Sequence, residues 1–90
     1  MKRSGPIELS QHRDWSTWRD LQVPLDGPPT PEWLVRVQSQ LRHGLGGFES
    51  MEFEPGRPLL VAVLNEPRDD VDAVTTEVDA CLRGAEGPPS

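Results

Sequence analysis

The feature that most constrains this sequence is an unbroken run of six apolar residues, Leu59–Leu64. Turn-forming residues bound the run, with Pro55-Gly56 ahead of it and Asn65 behind it. A run this short between turn residues is typical of a central strand, because a buried helix usually needs about ten or more residues. The run therefore predicts the central strand of a sheet, and the rest of the chain must supply its neighbours.

Two segments with alternating apolar and polar residues predict strands beside this run. In the segment 19–25, Pro24 falls on the polar side, which fits the end of a strand because proline cannot donate to a ladder. The segment 48–54 leads through Pro55-Gly56 into residues 58–64, which predicts a hairpin. The residues expected to face the core are Leu21, Val23, Leu25, Met51 and Phe53.

Two amphipathic segments predict helices. The first covers about residues 31–43, with Thr30 as the capping residue and Pro31 at the first helical position. The second is expected to open within Asn65–Asp70, with Pro67 near its first turn, and to end at Arg83-Gly84. The apolar stripes are Trp33, Leu34, Val37 and Leu41 in the first helix and Val71, Val74, Val78 and Leu82 in the second, with Cys81 beside it.

The order strand, helix, strand, strand, helix predicts an α+β fold of the ferredoxin-like split βαβ type, with an antiparallel sheet and two helices on one face. The fourth strand of that fold is either missing or replaced by the N-terminal segment. In the second case Pro6–Ser10 forms a hairpin with 19–25, whereas a bare edge would invite a second copy to pair there. The expected layout is an N-terminal segment 1–18, a domain 19–83 and a flexible tail 84–90.

The stretch Gly47–Phe53, Gly-Phe-Glu-Ser-Met-Glu-Phe, resembles a strand of heavy-metal-associated domains of the copper-chaperone type. The likeness covers about residues 20–83 and implies the ferredoxin-like fold. Members of that family bind soft metal through Cys-x-x-Cys in the first loop, where this chain has Asp26–Trp33 and no cysteine. The resemblance therefore implies no metal site. The stretch Leu25–Trp33 also resembles small uncharacterised proteins of high-GC bacteria, which implies no activity.

Composition limits the class of partner. The chain has 9 basic and 15 acidic residues, a net charge of −6, and ten of the acidic residues fall in 48–90. Because nucleic acids and anionic membranes are themselves negative, we expect neither as a partner. The single cysteine, Cys81, permits no internal disulfide, and no apolar run is long enough to span a bilayer, which together favour the cytoplasm. Lys2 is the only lysine, a bias typical of a high-GC bacterial gene.

The sequence offers no recognisable arrangement for catalysis or metal binding. His12, His43 and Cys81 lie far apart and lack the spacing of metal ligands. The carboxylates of 66–72 do not fit a calcium loop and are expected to complement a helix dipole. The glycines of 44–47 follow a helix, whereas a phosphate-binding loop precedes one. We therefore predict no catalytic residue, no cofactor and no metal site.

A candidate interface combines two indoles with the carboxylates of one strand, since large aromatics near a surface often anchor protein contacts. The sequence thus favours a non-enzymatic protein-interaction or regulatory module, whose partner is another protein or a second copy in a homodimer. The alternative is a small-ligand binding protein or enzyme whose site forms between subunits, lined by the N-terminal tryptophans or His43. A third hypothesis is an inhibitor-type partner of a basic protein, and it rests on the acidic strand alone. The candidate interface residues are Trp15, Trp18, Glu49, Glu52 and Glu54.

Overall fold

Four antiparallel strands and two helices make up the α+β structure of residues 2–54 and 56–86, the part of the chain that the computed structural model describes. The last four residues of the expected flexible tail lie outside the described residues. In chain order the elements are β1 (Glu8–Gln11), β2 (Arg19–Pro24), α1 (Pro31–Gly44), β3 (Phe48–Phe53), β4 (Leu59–Leu64) and α2 (Val71–Ala85).

The apolar run forms β4, which lies inside the sheet between β2 and β3, in the order β1-β2-β4-β3. This confirms the predicted central strand and the predicted hairpin of β3 with β4. Ala62 pairs with Leu21 on one side and with Met51 on the other, so these predicted inward residues share one face. The expectation that Phe53 faces the core is wrong, because this last residue of the edge strand β3 is 43% exposed. Pro24 is the last residue of β2, where its missing N–H leaves the ladder intact.

The N-terminal segment occupies the place beside β2. Leu9 pairs with Leu21. Closer to the N-terminus, the Ser4 amide donates to the Pro24 carbonyl at 2.9 Å. The Arg3 guanidinium reaches over to α2 and donates to both carboxylate oxygens of Asp79, at 2.9 and 3.0 Å. Of the two arrangements left open by the sequence, the structure has the hairpin, and the expectation of a bare edge beside β2 is wrong.

One hydrophobic cluster joins both helices to a single face of the sheet. Val37 and Leu41 of α1 and Val74 and Val78 of α2 are completely or almost completely buried there. The predicted cap also forms, because the Thr30 hydroxyl accepts from the Trp33 amide at 3.2 Å. The buried strand residues of the cluster are Leu21, Val23, Leu60, Ala62 and Leu64.

Helix α2 begins later than the sequence pattern indicated. Residues 65–70 form a connection, and the helix opens at Val71 with Asp70 at the cap position. The reason is Arg68, whose guanidinium binds the carboxylates of Asp70 and Glu77. This pairing folds the segment containing Pro67 back against the helix that follows, so the segment cannot continue as its first turn.

Helix α2 also continues past the expected end at Arg83-Gly84 and includes Ala85. The side chain of Ala85 is fully buried, and its carbonyl accepts from Arg36 Nε on α1 at 2.8 Å. Contact with α1 therefore extends the helix where local sequence predicts a break. The expectation that the helix ends at Arg83-Gly84 is therefore wrong.

Candidate functional site

The face of the sheet that points away from the helices carries no covering element in the described structure, and we call it the open face. Side chains alternate along a strand, so the open face takes the positions between the core residues. Its centre is the apolar stripe of β4, in which Leu59, Val61 and Val63 are each half-buried. Its polar members are Glu8 and Ser10 of β1, Asp20 and Gln22 of β2, and Ser50 and Glu52 of β3.

The register arranges these side chains in rows across the sheet. One row runs Glu8, Gln22, Val61, Glu52, so that a carboxylate stands at each end and a valine near the middle. In the next row Asp20 pairs with Val63. The apolar stripe is therefore flanked by carboxylates on both sides.

Two indoles and an imidazole close one end of the open face, in the connection between β1 and β2. The rings of Trp15 and Trp18 have centroids 5.6 Å apart and planes tilted by 34°. The His12 ring meets Trp18 edge-on at 5.8 Å. Trp15 remains 56% exposed, which makes it a large apolar surface available for contact. We call residues 12–18 the aromatic loop.

Hydrogen bonds hold the aromatic loop in one conformation. Arg19 Nη1 donates to the carbonyls of Ser16 and Trp18, both at 2.9 Å, while its Nε donates to Asp69 at 3.0 Å. The Trp18 amide donates to the Trp15 carbonyl at 3.0 Å. These bonds fix the backbone on both sides of the indoles. A partner that binds to the indoles therefore needs to order the aromatic loop little further.

His12 connects the aromatic loop to Asp20. Its Nδ1 accepts from the Asp14 amide at 3.0 Å, so in the neutral ring Nε2 carries the proton. That Nε2 lies 3.8 Å from Asp20 Oδ1. Trp18 and Asp20 are therefore both neighbours of this imidazole.

The carboxylates of the open face differ from several others in the molecule in their pairing with cationic side chains. Arginines pair with Asp69, Asp79 and Glu77. In contrast, Glu8, Asp20 and Glu52 have no arginine or lysine partner within the described chain. The open face therefore presents negative charge that no arginine or lysine of residues 2–54 and 56–86 pairs with.

The opposite end of the open face is an open depression of about 340 Å³, next to the connection between β3 and β4. Glu52, Phe53 and Leu59 line it, and Phe53 is 43% exposed. Arg57 also lines it, and its guanidinium binds the Glu54 carboxylate at 3.0 Å. The depression extends the apolar stripe and stays acidic at its rim.

The structure places four of the five candidate interface residues on or beside the open face, namely Trp15, Trp18, Glu52 and Glu54. Glu49 lies at an irregularity of β3, where its carboxylate accepts from Asn65 Nδ2 at 2.9 Å. Sequence reasoning missed Glu8, Asp20 and the stripe of β4. The alternation of β2 carried a signal for Asp20, but the run in β4 hides which of its side chains face outward.

The structure does not bring His43 to the tryptophans. His43 is exposed near the end of α1, on the helical side of the molecule, and its Nδ1 lies 2.8 Å from the Ser39 carbonyl oxygen. The described part of the chain therefore keeps His43 apart from Trp15 and Trp18, and a site that combines them would need a second copy.

Cys81 is buried between the helices, with its Sγ 3.4 Å from the Gln40 carbonyl oxygen. Burial raises the pKa of this thiol, which keeps it protonated and poorly nucleophilic. Across residues 2–54 and 56–86, no three His, Cys, Asp or Glu side chains gather as metal ligands would. None of the described helices has the length and apolar character needed to cross a bilayer.

Comparison with known proteins adds no relative, because no protein-family model, curated protein or solved structure matches this chain. Function must therefore be argued from the site, since a fold by itself does not define an activity. What the open face offers chemically is an apolar strip, fixed aromatic surface and unpaired negative charge.

Proposed function

We propose that this chain is a non-enzymatic protein-interaction module that binds a basic protein partner across the open face. The observation that carries the proposal is the combination on one uncovered surface of Trp15, the apolar stripe and carboxylates without cationic partners. Apolar and aromatic groups supply binding energy when they leave water, and complementary charge supplies orientation and a fast encounter.

Charge favours a basic partner over a second copy of the chain. Two copies that met through their open faces would bring Glu8, Asp20 and Glu52 against the same residues, and the chain carries a net charge of −6. Like charges placed together at an interface oppose association. A surface rich in arginine and lysine would instead neutralise these carboxylates. As a regulatory module, the chain would act by covering the basic surface of its partner.

The dimensions of the open face suggest what part of the partner it accepts. From Trp18, the residue before β2, to Pro24 at the end of that strand is six residue steps, about 20 Å at a strand rise of about 3.3 Å per residue. An extended segment of about seven residues spans that length, as does a helix of about thirteen residues. A basic segment with apolar residues along one side would match the stripe and its acidic flanks.

We further propose that the fold is a variant of the ferredoxin-like type. In support, β2, α1 and β3 form a split unit with β4 inserted between the two strands, and β1 stands beside β2 where that fold has its last strand. The relationship to heavy-metal-associated domains is then one of fold alone, since the connection after β2 contains no thiol. A lone, buried cysteine fits function in a reducing cytoplasm.

The test is binding to an array of thirteen-residue peptides that share an apolar spacing and differ only in net charge. The wild-type chain is compared with Glu52→Lys, which reverses charge on the open face. The matched control is Glu32→Lys, the same change at an exposed position of α1 on the helical side. Analytical ultracentrifugation of all three proteins measures self-association.

We expect the basic peptides to bind, the Glu52→Lys variant to lose most of that binding, and the Glu32→Lys variant to keep it. Affinity should fall as salt is added, because exposed charges are screened over about 10 Å at 0.1 M salt. Equal effects of the two substitutions, or binding by acidic peptides, would overturn the proposal. So would a stable dimer whose formation depends on Glu52, since the face would then serve a second copy.

A further inference from the structure

We propose that the aromatic loop is a binding site for the guanidinium of an arginine side chain. The cation would lie against the exposed face of the Trp15–Trp18 pair, with the Asp20 carboxylate as its counter-charge. This inference rests on the proposed function and names the chemical group that the partner presents at one end of the open face.

The geometry supplies both parts of such a site. Trp15 is 56% exposed, and its ring is held at 5.6 Å from that of Trp18, so the pair forms one aromatic surface. Asp20 accepts no hydrogen bond from any described residue, and its Oδ1 lies 3.8 Å from Nε2 of the His12 imidazole. An aromatic face and an unsatisfied carboxylate that meet at the same imidazole can receive a flat, charged donor group.

Arginine fits this site better than lysine does. The guanidinium is planar and weakly hydrated, so it can stack on an indole while its N–H groups donate in plane to a carboxylate. The ammonium of lysine is compact and strongly hydrated, and it would lose more hydration on the same surface. The site therefore distinguishes two partners of equal charge.

Other occupants of an aromatic surface match the surroundings less well. Nucleobases stack on indoles, but the phosphates that accompany them would meet the carboxylates of Asp14 and Asp20. Neutral sugars carry no cation that could pair with the Asp20 carboxylate. Arg13 is an exposed cation in the same loop and should repel a bound guanidinium. Its removal should therefore strengthen binding.

The experiment measures three short peptides against the intact chain by NMR, following the indole Nε1–H signals of Trp15 and Trp18. The probes are acetyl-Gly-Gly-X-Gly-Gly-amide, with X as arginine, lysine or citrulline. Citrulline has nearly the shape of arginine without its charge. The variants are Trp15→Ala, Asp20→Asn and Arg13→Gln, and Val35→Ala on the exposed side of α1 is the control.

We expect the arginine peptide to bind about fivefold more tightly than the citrulline peptide, with lysine between them. Trp15→Ala should remove this preference, Asp20→Asn should reduce affinity about threefold, and Arg13→Gln should raise it about twofold. Val35→Ala should change nothing. Equal binding of arginine and citrulline, a preference that survives Trp15→Ala, or equally strong shifts from the neutral sugar maltose would overturn the proposal.

The outcomes separate this inference from the proposed function. If the peptide array fails while the arginine peptide shows the predicted preference, the aromatic loop is an arginine site without a protein-binding face. If the array succeeds with Glu52-dependent binding but arginine and citrulline are equivalent, the open face binds a basic partner and the loop site is wrong.

Discussion

Arg68 and Glu77 form a two-point ion pair in which Nη1 donates to Oε1 at 2.8 Å and Nη2 donates to Oε2 at 2.7 Å. The Gly46 amide also donates to Glu77 Oε1, at 2.9 Å. The pair thus fastens the connection before α2, and the connection before β3, to the side of α2. These two connections lie next to the end of the sheet at which the aromatic loop begins.

Glu77→Gln should destabilise the fold by about 1 kcal/mol, between the values typical of surface pairs and of hydrogen bonds to partly buried charges. The amide keeps the shape of the side chain but loses the second acceptor oxygen and the charge. Chemical denaturation of the variant measures the effect. Glu66→Gln is the control, since Glu66 is exposed and forms no ion pair in the described structure. Equal stabilities of the two variants would show that the pair contributes nothing.

Stability should fall on acidification. Hydrogen bonds from Arg68 lower the pKa of Glu77 and of Asp70, and a hydrogen bond from Arg3 lowers the pKa of Asp79. A carboxyl whose pKa is lower in the folded state stabilises it at pH above the unfolded value, about 4. That stabilisation is lost as the pH falls through the lowered folded pKa.

Unfolding by urea, measured from pH 7 down to about 2, follows this loss of stability. The double variant Glu77→Gln, Asp79→Asn should show a shallower decline than the wild type, because two of the linked carboxyls are gone. If the free energy of unfolding fell equally steeply with pH in both proteins, Glu77 and Asp79 would not be the cause of the acid sensitivity.

Two valines of α1 provide a matched pair for the packing of the core. Val37 is fully buried against the sheet and α2, whereas Val35 is 69% exposed on the same helix. Val37→Ala should lower the free energy of unfolding by about 2 kcal/mol, from lost burial and the cavity left behind. Val35→Ala should change it by less than about 0.5 kcal/mol. Similar losses in the two variants would mean that α1 does not pack through the Val37 face.

Two glycines should respond to alanine with opposite signs. Gly84 lies inside α2, where the end of the Gln40 side chain occupies the space that a Cβ would need. Because that amide can swing into solvent, Gly84→Ala should stabilise the fold by about 0.5 to 1 kcal/mol through helix propensity. Gly47 has a φ of 82°, so Gly47→Ala should destabilise it by about 1 kcal/mol or more. Thermal unfolding separates the two signs, and a destabilised Gly84→Ala would show that Gln40 is not free to move.

The elements that the sequence predicted well carry their own local signals. The run Leu59–Leu64 needs no partner to be identified as a central strand, and Thr30 with Pro31 marks the start of α1 wherever the helix packs. The inward residues of β2 and Met51 of β3 followed from alternation alone, whereas Phe53, expected inward by the same rule, is 43% exposed.

The remaining features depend on contacts between distant residues, which no local pattern contains. The N-terminal segment is fixed by Arg3 binding Asp79, 76 positions away, and α2 is lengthened by Arg36 of α1. The aromatic loop depends on Arg19 reaching back to the Ser16 carbonyl and across to Asp69. The sequence therefore named the tryptophans as candidates but could not show that their rings lie 5.6 Å apart, or that Asp20 lies next to the same imidazole as Trp18.

The most direct test of the central claim is to map amide chemical shifts of the ¹⁵N-labelled chain as a basic, apolar-striped peptide from the array is added. The account predicts that shifts concentrate on the open face, at Gln22, Val61 and Val63, together with the indole N–H of Trp15. Shifts confined to the exposed side of α1, around Val35 and Arg42, or spread evenly over the molecule, would contradict it.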